Sequence, residues 1–425
     1  MGWVRTVSAD LHEPPEVVGG KAHGLALLHR LGLPVPAAVV VTTDACRAFL
    51  RDGRLPPGLG AELAAAVVGM SAVSVRSGAA VSMPGMMDTI LDVDPTSLDD
   101  AVESVFASWN TPRARTYRTL HGIPHDLGTA VVVQQMVFGT RDDHSGAGVA
   151  FSRDPSTGAR TPFGEVLFGH HGEAVVSGRS LTLPLTALEP PVRQDLHDAL
   201  HRIERHHRDA CYVEFTFESG QLWLLQVRPG RFTGAAAVRT ATDLADEGLI
   251  TRAEALLRVS PSHLRHVRVP RIAAGTEVVA RGVGVCPGVA TGRVALTSDD
   301  AVRSAAAGPV VLVRPETSPD DIRGLAVAAG VVTARGGPAS HAAVVARSMG
   351  KPAVVGAGEL TLAAGVVVTL DGTSGEVVLG RPEVVTGEAD SRLERLLGWA
   401  DEVVGGAGGG GEVERLVAAQ AVLRR

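Results

Sequence analysis

The stretch Gly336-Gly337-Pro338-Ala339-Ser340-His341-Ala342-Ala343-Val344-Val345-Ala346-Arg347-Ser348-Met349-Gly350-Lys351-Pro352 sets one histidine where a glycine-rich turn opens a helix. The β-branched run Gly330-Val331-Val332-Thr333 before it predicts a strand that stops at the glycines, and Ser340 is a fitting helix cap. His341 then falls in the first turn, where backbone N–H groups lack helical partners and the helix dipole is positive. That potential disfavours imidazolium and favours an anionic phosphoryl group beside the ring, so the arrangement reads as a phosphohistidine site. The dipole is worth about 0.3–1 kcal/mol at exposed positions and up to ~2 when partly buried, so it tunes the histidine without making a catalyst. Ala342 to Ala346 are expected to bury the rest of the helix, and Gly350 with Pro352 to end it. Taken alone, a histidine here can equally cap or pack. Its companions in the chain decide the reading.

The segment resembles the catalytic-histidine signature of pyruvate phosphate dikinases and, less closely, that of phosphoenolpyruvate synthases. Gly284-Val285-Cys286-Pro287-Gly288-Val289-Ala290-Thr291-Gly292 and Val313-Arg314-Pro315-Glu316-Thr317-Ser318-Pro319-Asp320-Asp321 resemble two further signatures of the same swivelling domain. In the N-terminal half, Gly19-Gly20-Lys21-Ala22-His23-Gly24, Leu31-Gly32-Leu33-Pro34-Val35-Pro36 and Val75-Arg76-Ser77-Gly78-Ala79 are similar to the dikinase nucleotide-binding domain. So are Met83 to Thr89, Ser145 to Pro155, Val213 to Thr216 and Leu225 to Arg228. The resemblance runs to about Ala400. It implies a multidomain chain of α/β and α+β units: an ATP-grasp nucleotide-binding domain over 1–234 and a helical connector over 235–275. A swivelling phosphohistidine β/β/α domain over 276–382 follows, and then a linker helix, glycine-rich tract and tail over 383–425.

By the same resemblance, ATP is the phosphoryl donor and Mg2+ the cofactor. The chemistry then calls for cations on phosphate oxygens and hard oxygen ligands for the metal. Lys21 and Arg76 are expected on the phosphates, Arg76 with a planar fork that can hold two oxygens. Tyr212 to Phe217 and Leu222 to Val227 are β-rich runs separated by Glu218-Ser219-Gly220-Gln221, a hairpin signature. It is expected to bring Glu214 and Gln226 onto one face as metal ligands, with Arg228 beside them to neutralise the moving phosphoryl group. Read without the resemblance, a Glu and an Arg on a hairpin are a cross-strand ion pair. Asp143 is placed among the ATP contacts, although His144 stands where the family has a second acidic residue.

Composition narrows the remaining classes. The 425 residues are 45% hydrophobic, enough for two or three cored domains and against global disorder. No apolar run approaches the roughly 18–20 residues that span a bilayer, and the first twenty residues lack a signal-peptide pattern, so no membrane partner and a cytoplasmic enzyme are expected. A net charge of −6 argues against nucleic-acid binding. Cys46, Cys211 and Cys286 lie far apart and read as buried small hydrophobes rather than a disulfide framework or zinc site. His206-His207 sits in a polar run that reads as a solvated helix face rather than a metal site.

Three departures from the family pattern stand out. The stretch from Leu98 to Trp109 is short, as though a helical insertion were missing, and Ala339 occupies the place of a regulatory threonine, so phosphorylation there is chemically impossible. Beyond Glu394 to Glu402, expected as the outgoing linker helix, the tract Gly405 to Gly411 is flexible by composition. Only Glu412 to Arg425 follow it, with no room for the (β/α)8 barrel that binds phosphoenolpyruvate and pyruvate in full dikinases. That tail has apolar residues at helical spacing and is expected to dock on a partner or to fray. The resulting expectation is ATP-dependent phosphorylation of His341, with the γ-phosphate passing to inorganic phosphate or water. Onward transfer is then to an acceptor, pyruvate on a separate component. Two alternatives stay open at this point: a specialised phosphotransferase with another small-molecule acceptor, and a non-catalytic ATP sensor.

Overall fold

Valine-rich runs build the first sheet: Ala38–Val41, Val73–Ser77 and Val131–Gln135 are buried on both faces, as β-branched side chains pack well on a pleated surface. In a computed structural model, these strands join Val4–Thr6 and Thr89–Val93 in a five-stranded antiparallel sheet. The structure describes all residues except Met1, Gly178, Arg179, Leu181, Arg231, Thr233, Ala339, Glu359, Leu360, 387–390 and 407–409. The expected loss of control at Ala339 and the centre of the glycine-rich tract therefore lie outside the described residues.

A second antiparallel sheet runs in the order Gln221–Pro229, Cys211–Glu218, Gly146–Phe151, Phe163–Phe168, Leu183–Pro184. Helices Pro15–Arg30 and Pro190–His207 pack on one face of it, burying Ala22, Leu25, Leu196 and Ile203 against Val213, Phe215 and Leu224. The N-terminal half is thus built on two antiparallel sheets. The short stretch after Leu98 is the single helix Leu98–Ser108, followed at once by helix Pro112–Leu120.

The C-terminal unit is an eight-stranded sheet whose centre, Val289–Ala295, Val310–Arg314, Gly330–Thr333 and Ala353–Val355, is parallel. Its two edge strands, Val278–Arg281 and Val283–Cys286, are separated only by Gly282, so the sheet curls until its edges meet at that residue. A side chain there would meet the Val355 carbonyl, which leaves glycine as the residue that fits.

The segment expected to be a purely helical connector contains helices Gly234–Asp246, Arg252–Arg258 and Pro261–Arg265, and then a strand, Pro270–Ile272. That strand pairs with Val384–Thr386, so the chain entering the C-terminal unit is zipped to the chain leaving it. Helix Ser391–Val404 and the tail helix Glu412–Leu423 pack onto the three connector helices, burying Leu256, Leu264, Leu396, Trp399 and Leu416 in one core. The tail therefore docks in cis. Its apolar spacing matches the groove between the connector helices, and Gln420 Nε2 donates to the carbonyls of Leu256 and Val259 at 2.7 Å each, satisfying groups that end helix Arg252–Arg258. Leu416→Ala should cost about 2–5 kcal/mol of stability in denaturant unfolding. Val417→Ala, on the outer side at 45% exposure, should change it by less than ~0.5. Equal effects of the two substitutions would show that the tail is not docked in this way.

Candidate active site

The hairpin that carries Glu214, Gln226 and Arg228 turns on only two residues, Ser219 and Gly220, both at positive φ, while Glu218 and Gln221 pair with each other. Continued without interruption, that register would set Gln226 against Val213 and face it away from Glu214. A β-bulge at Leu225 shifts the register by one, so that Gln226 pairs with Glu214 and Arg228 with Tyr212. Glu214, Gln226 and Arg228 consequently share a face. Arg76 donates from Nη2 to the Leu225 carbonyl at 3.0 Å, which ties the first sheet to the bulge.

Lys21 arrives from helix Pro15–Arg30, which bends at Gly19 because a side chain there would collide with the Gly78 carbonyl. Its Nζ donates to the carbonyl of Ser77, the neighbour of Arg76, at 2.5 Å. Burial, with repulsion from Arg76 and Arg228 against attraction from Glu214, pulls the Lys21 ammonium down to about 7. Arg228 Nη2 donates to Glu214 Oε1 at 2.5 Å, the cross-strand ion pair that a plain hairpin reading predicts. Burial of Glu214 would raise its carboxyl, but Arg228, Arg76 and Lys21 outweigh it and hold the group below the usual carboxylate range. Three cationic side chains thus surround one carboxylate.

His341 is the first residue of helix His341–Met349, with Ser340 as cap accepting from the Ala343 N–H, and Gly350 closing the helix in the left-handed region. Ala342, Ala343, Val345 and Ala346 are buried; Val344 is only partly so. The ring is held in the interface between the two halves of the chain. A Cβ added to Gly85 would lie 3.5 Å from His341 Cδ2 and 3.9 Å from Nε2. Met83, Met86, Trp109 and Tyr117 of the N-terminal half share a core with Ile322, Leu325 and Val345. At Gly337 any side chain would collide with Glu165 of the second sheet, so the glycine turn seats directly on that carboxylate. Nδ1 lies 3.1 Å from Thr317 Oγ1, and Nε2 is buried with no partner. The pairing that leaves Nε2 nucleophilic has Nδ1–H donating to Thr317. Burial, opposed by Asp321, pushes the imidazole down to about 4. Neutrality of the ring, expected from the helix dipole, is therefore chiefly a result of desolvation.

Lys21, Arg76, Glu214, Gln226 and Arg228 are brought together. Asp143 is not among them: it lies in the exposed turn before strand Gly146–Phe151, at the hairpin-tip end of the second sheet. Its neighbour Asp142 orders that turn instead, accepting from Ser145 Oγ at 2.6 Å and also from Ser219. Gln226 is 5% exposed and its Oε1 has no partner, an orphaned acceptor beside an ionised Glu214, which suits a hard divalent cation. Among the described residues no cluster of three or more His, Cys, Asp or Glu gathers, so such a cation would complete its shell with phosphate oxygens and water. Among the described residues no helix is long and apolar enough to cross a membrane. Thr317, Glu165, Tyr212 and Arg347 were not singled out from the sequence. Thr317 and Arg347 lie inside the motifs that were, whereas Glu165 and Tyr212 acquire their places only through sheet pairing.

Residues 51–182 match the pyruvate phosphate dikinase AMP/ATP-binding domain, and residues 306–375 match the mobile domain of PEP-utilising enzymes. Pyruvate, phosphate dikinase of Rhizobium meliloti is 34% identical over an alignment of 539 residues that covers 94% of this chain and 60% of the relative. The enzyme of Clostridium symbiosum is 34% identical with the same coverage, and the chloroplastic one of Flaveria trinervia 34% identical over 91% of this chain and 54% of its own. The chain therefore spans 60% or less of the length of these relatives. The alignments also exceed the chain's 425 residues, so the relatives carry internal residues that this chain lacks. Solved structures give weaker likenesses: D-cycloserine synthetase DcsG has a TM-score of 0.30 and 17% identity over 55% of this chain and 71% of that one. D-Alanine-D-alanine ligase of Helicobacter pylori has a TM-score of 0.27 and 12% identity over 55% and 63%. Matched to both domain models in chain order, and to dikinases along 94% of its length, the chain carries the AMP/ATP-binding domain of pyruvate phosphate dikinases and the mobile domain of PEP-utilising enzymes.

Proposed function

We propose that this chain carries out the ATP-using half of a dikinase reaction. The observation that supports it most directly is the pairing of two features: a half-buried cluster of Lys21, Arg76 and Arg228 around Glu214, and an unpartnered, neutral His341 Nε2 held against the same unit. Clustered cations in a low-dielectric cleft fit the phosphates of ATP. Nε2 attacks the β-phosphorus, the bond from that phosphorus to the oxygen bridging to the α-phosphate breaks, and AMP leaves. The γ-phosphate is passed to inorganic phosphate or water. Arg228 swings its guanidinium from Glu214 onto the moving phosphoryl group, and Lys21 and Arg76 hold the remaining oxygens. Glu214 and Gln226 would hold Mg2+, which supplies charge neutralisation on the phosphates when bound. The covalent histidine intermediate lets two distant sites share one transfer. The C-terminal unit then carries the phosphoryl group away on its paired linkers to an acceptor, pyruvate on a separate component.

ATP labelled at the β-phosphate, added with Mg2+ and with or without inorganic phosphate, should leave an acid-labile label on the wild type and none on His341→Ala. Glu214→Gln should lower labelling by about 100-fold or more. A wild type that binds ATP but never takes label is a sensor, and the proposal fails.

The ring supplies a second test. Because its folded-state value is pulled below the ordinary 6.5, to about 4, the nucleophile stays unprotonated as pH falls from 8 to about 5, and the stability tied to its neutrality is lost between 6.5 and 4. An NMR titration of His341 should show a midpoint below about 5; a midpoint between 6 and 7 would mean that the ring is solvated and not held as described.

A further inference from the structure

The second sheet lines up one row of side chains of which the proposed chemistry uses only Arg228. Arg228 pairs with Tyr212, and Tyr212 with Phe151, on three neighbouring strands, so all three point from the same face. The Arg228 guanidinium carbon lies 5.0 Å from the centre of the Tyr212 ring, and Phe151 meets that ring edge-on at 4.9 Å and 60°. The row does not end within its own unit. Arg347, on the helix that begins with His341, sets its guanidinium carbon 5.7 Å over the Phe151 ring and donates from Nη2 to the Pro338 carbonyl at 2.7 Å. Pro338 belongs to the turn that presents His341. Two arginines, one from each unit, are thus joined by two aromatic rings.

We infer that Tyr212 is a positioning residue for Arg228, and that Arg347, seated on Phe151, completes this support only when the histidine unit is docked. A guanidinium over a ring face keeps its planar orientation while remaining free to exchange one oxygen partner for another, from Glu214 to a phosphoryl group. Arg228 Nε is buried without a hydrogen-bond partner, so the ring is what holds that end of the side chain. Tyr212 is 7% exposed, and burial together with the Glu214 carboxylate raises its hydroxyl, which keeps the ring neutral. When the histidine unit leaves, Arg347 leaves Phe151, and the edge-on ring loses the cation that packs it against Tyr212. Full alignment of Arg228 then coincides with the presence of the nucleophile, and ATP is not cleaved to water in its absence.

The inference rests on the functional reading above, and single-turnover labelling of His341 by β-labelled ATP tests the two separately. Tyr212→Leu should lower the labelling rate at saturating ATP by about tenfold or more, with less than about a threefold change in the ATP concentration giving half the maximal rate. Tyr212→Phe, which keeps the ring, should stay within about threefold of wild type. Phe151→Leu should slow labelling as well, and its effect should not multiply with that of Arg347→Lys, because both act through one contact. A labelled wild type with Tyr212→Leu equally fast, or with Tyr212→Phe as slow as the leucine variant, overturns the inference and leaves the functional reading standing. If Tyr212→Leu does not fold, independent multiplication of the Phe151 and Arg347 effects overturns it. A wild type that takes no label overturns both.

Discussion

One extra residue in a hairpin governs the arrangement of charge in this protein. Leu225 interrupts the register of its strand, and every side chain beyond it changes face, so Gln226 and Arg228 come to stand with Glu214 rather than with the buried core of Val213 and Phe215. The bulge is not left to itself. Its carbonyl is taken by Arg76 from the facing sheet, which fixes the distance between the two sheets as well as the kink. Because Arg76 spends one arm of its fork on that carbonyl, its planar guanidinium is held in a set orientation. The same contact therefore builds the cleft and presents one of its cations.

What the bulge gathers is an imbalance of charge. Lys21, Arg76 and Arg228 face a single carboxylate, and gathering three cations around one anion is costly in a low-dielectric setting. The protein answers in part by loosening the proton on Lys21, down to about 7. On the proposed reading, a polyphosphate would restore charge and pairing together, which the single carboxylate Glu214 does not supply. His341 carries the opposite arrangement. Its ring is stripped of water and left neutral, with one nitrogen tied to Thr317 and the other open. On the proposed reading, the N-terminal half would draw an electrophile into its cleft, while the histidine unit keeps its nucleophile uncharged through burial against that half.

These features were unequally legible in the sequence. The histidine helix could be read closely, from Ser340 to Gly350, because caps are local and depend on a few neighbouring residues. The hairpin was legible for the same reason, through Ser219-Gly220, yet the placement of Glu214 and Gln226 on one face depends on the bulge, which nothing in Leu224-Leu225-Gln226 announces. The cause of the neutral imidazole was misread, since the dipole can be inferred from a helix start while burial depends on contacts such as that with Gly85, more than two hundred residues away in the chain. Asp143 was drawn toward the site by its motif, but strand direction carries it to the far end of the sheet. The tail failed as a sequence reading because amphipathic spacing identifies an apolar face without identifying what covers it.

The linkers connect these local facts to motion. The chain enters the histidine unit through Pro270–Ile272 and leaves through Val384–Thr386, and the two are hydrogen-bonded to each other. Asp371, 1% exposed within the histidine unit, accepts from the Ile272 amide at 3.2 Å and from Arg271 Nε at 3.0 Å, so the ribbon is pinned to the unit. On the other side, the connector helices and the two C-terminal helices form one core, with Arg392 and Arg395 paired to Asp243 and Asp246. Both linkers are therefore rooted in one base and joined in one ribbon. On the proposed reading, such a tether would keep the effective concentration of His341 at the cleft high whatever acceptor it visited. The two halves meet through apolar contact in the core shared by Met86, Trp109, Tyr117, Ile322 and Val345, which holds the histidine unit against the N-terminal half.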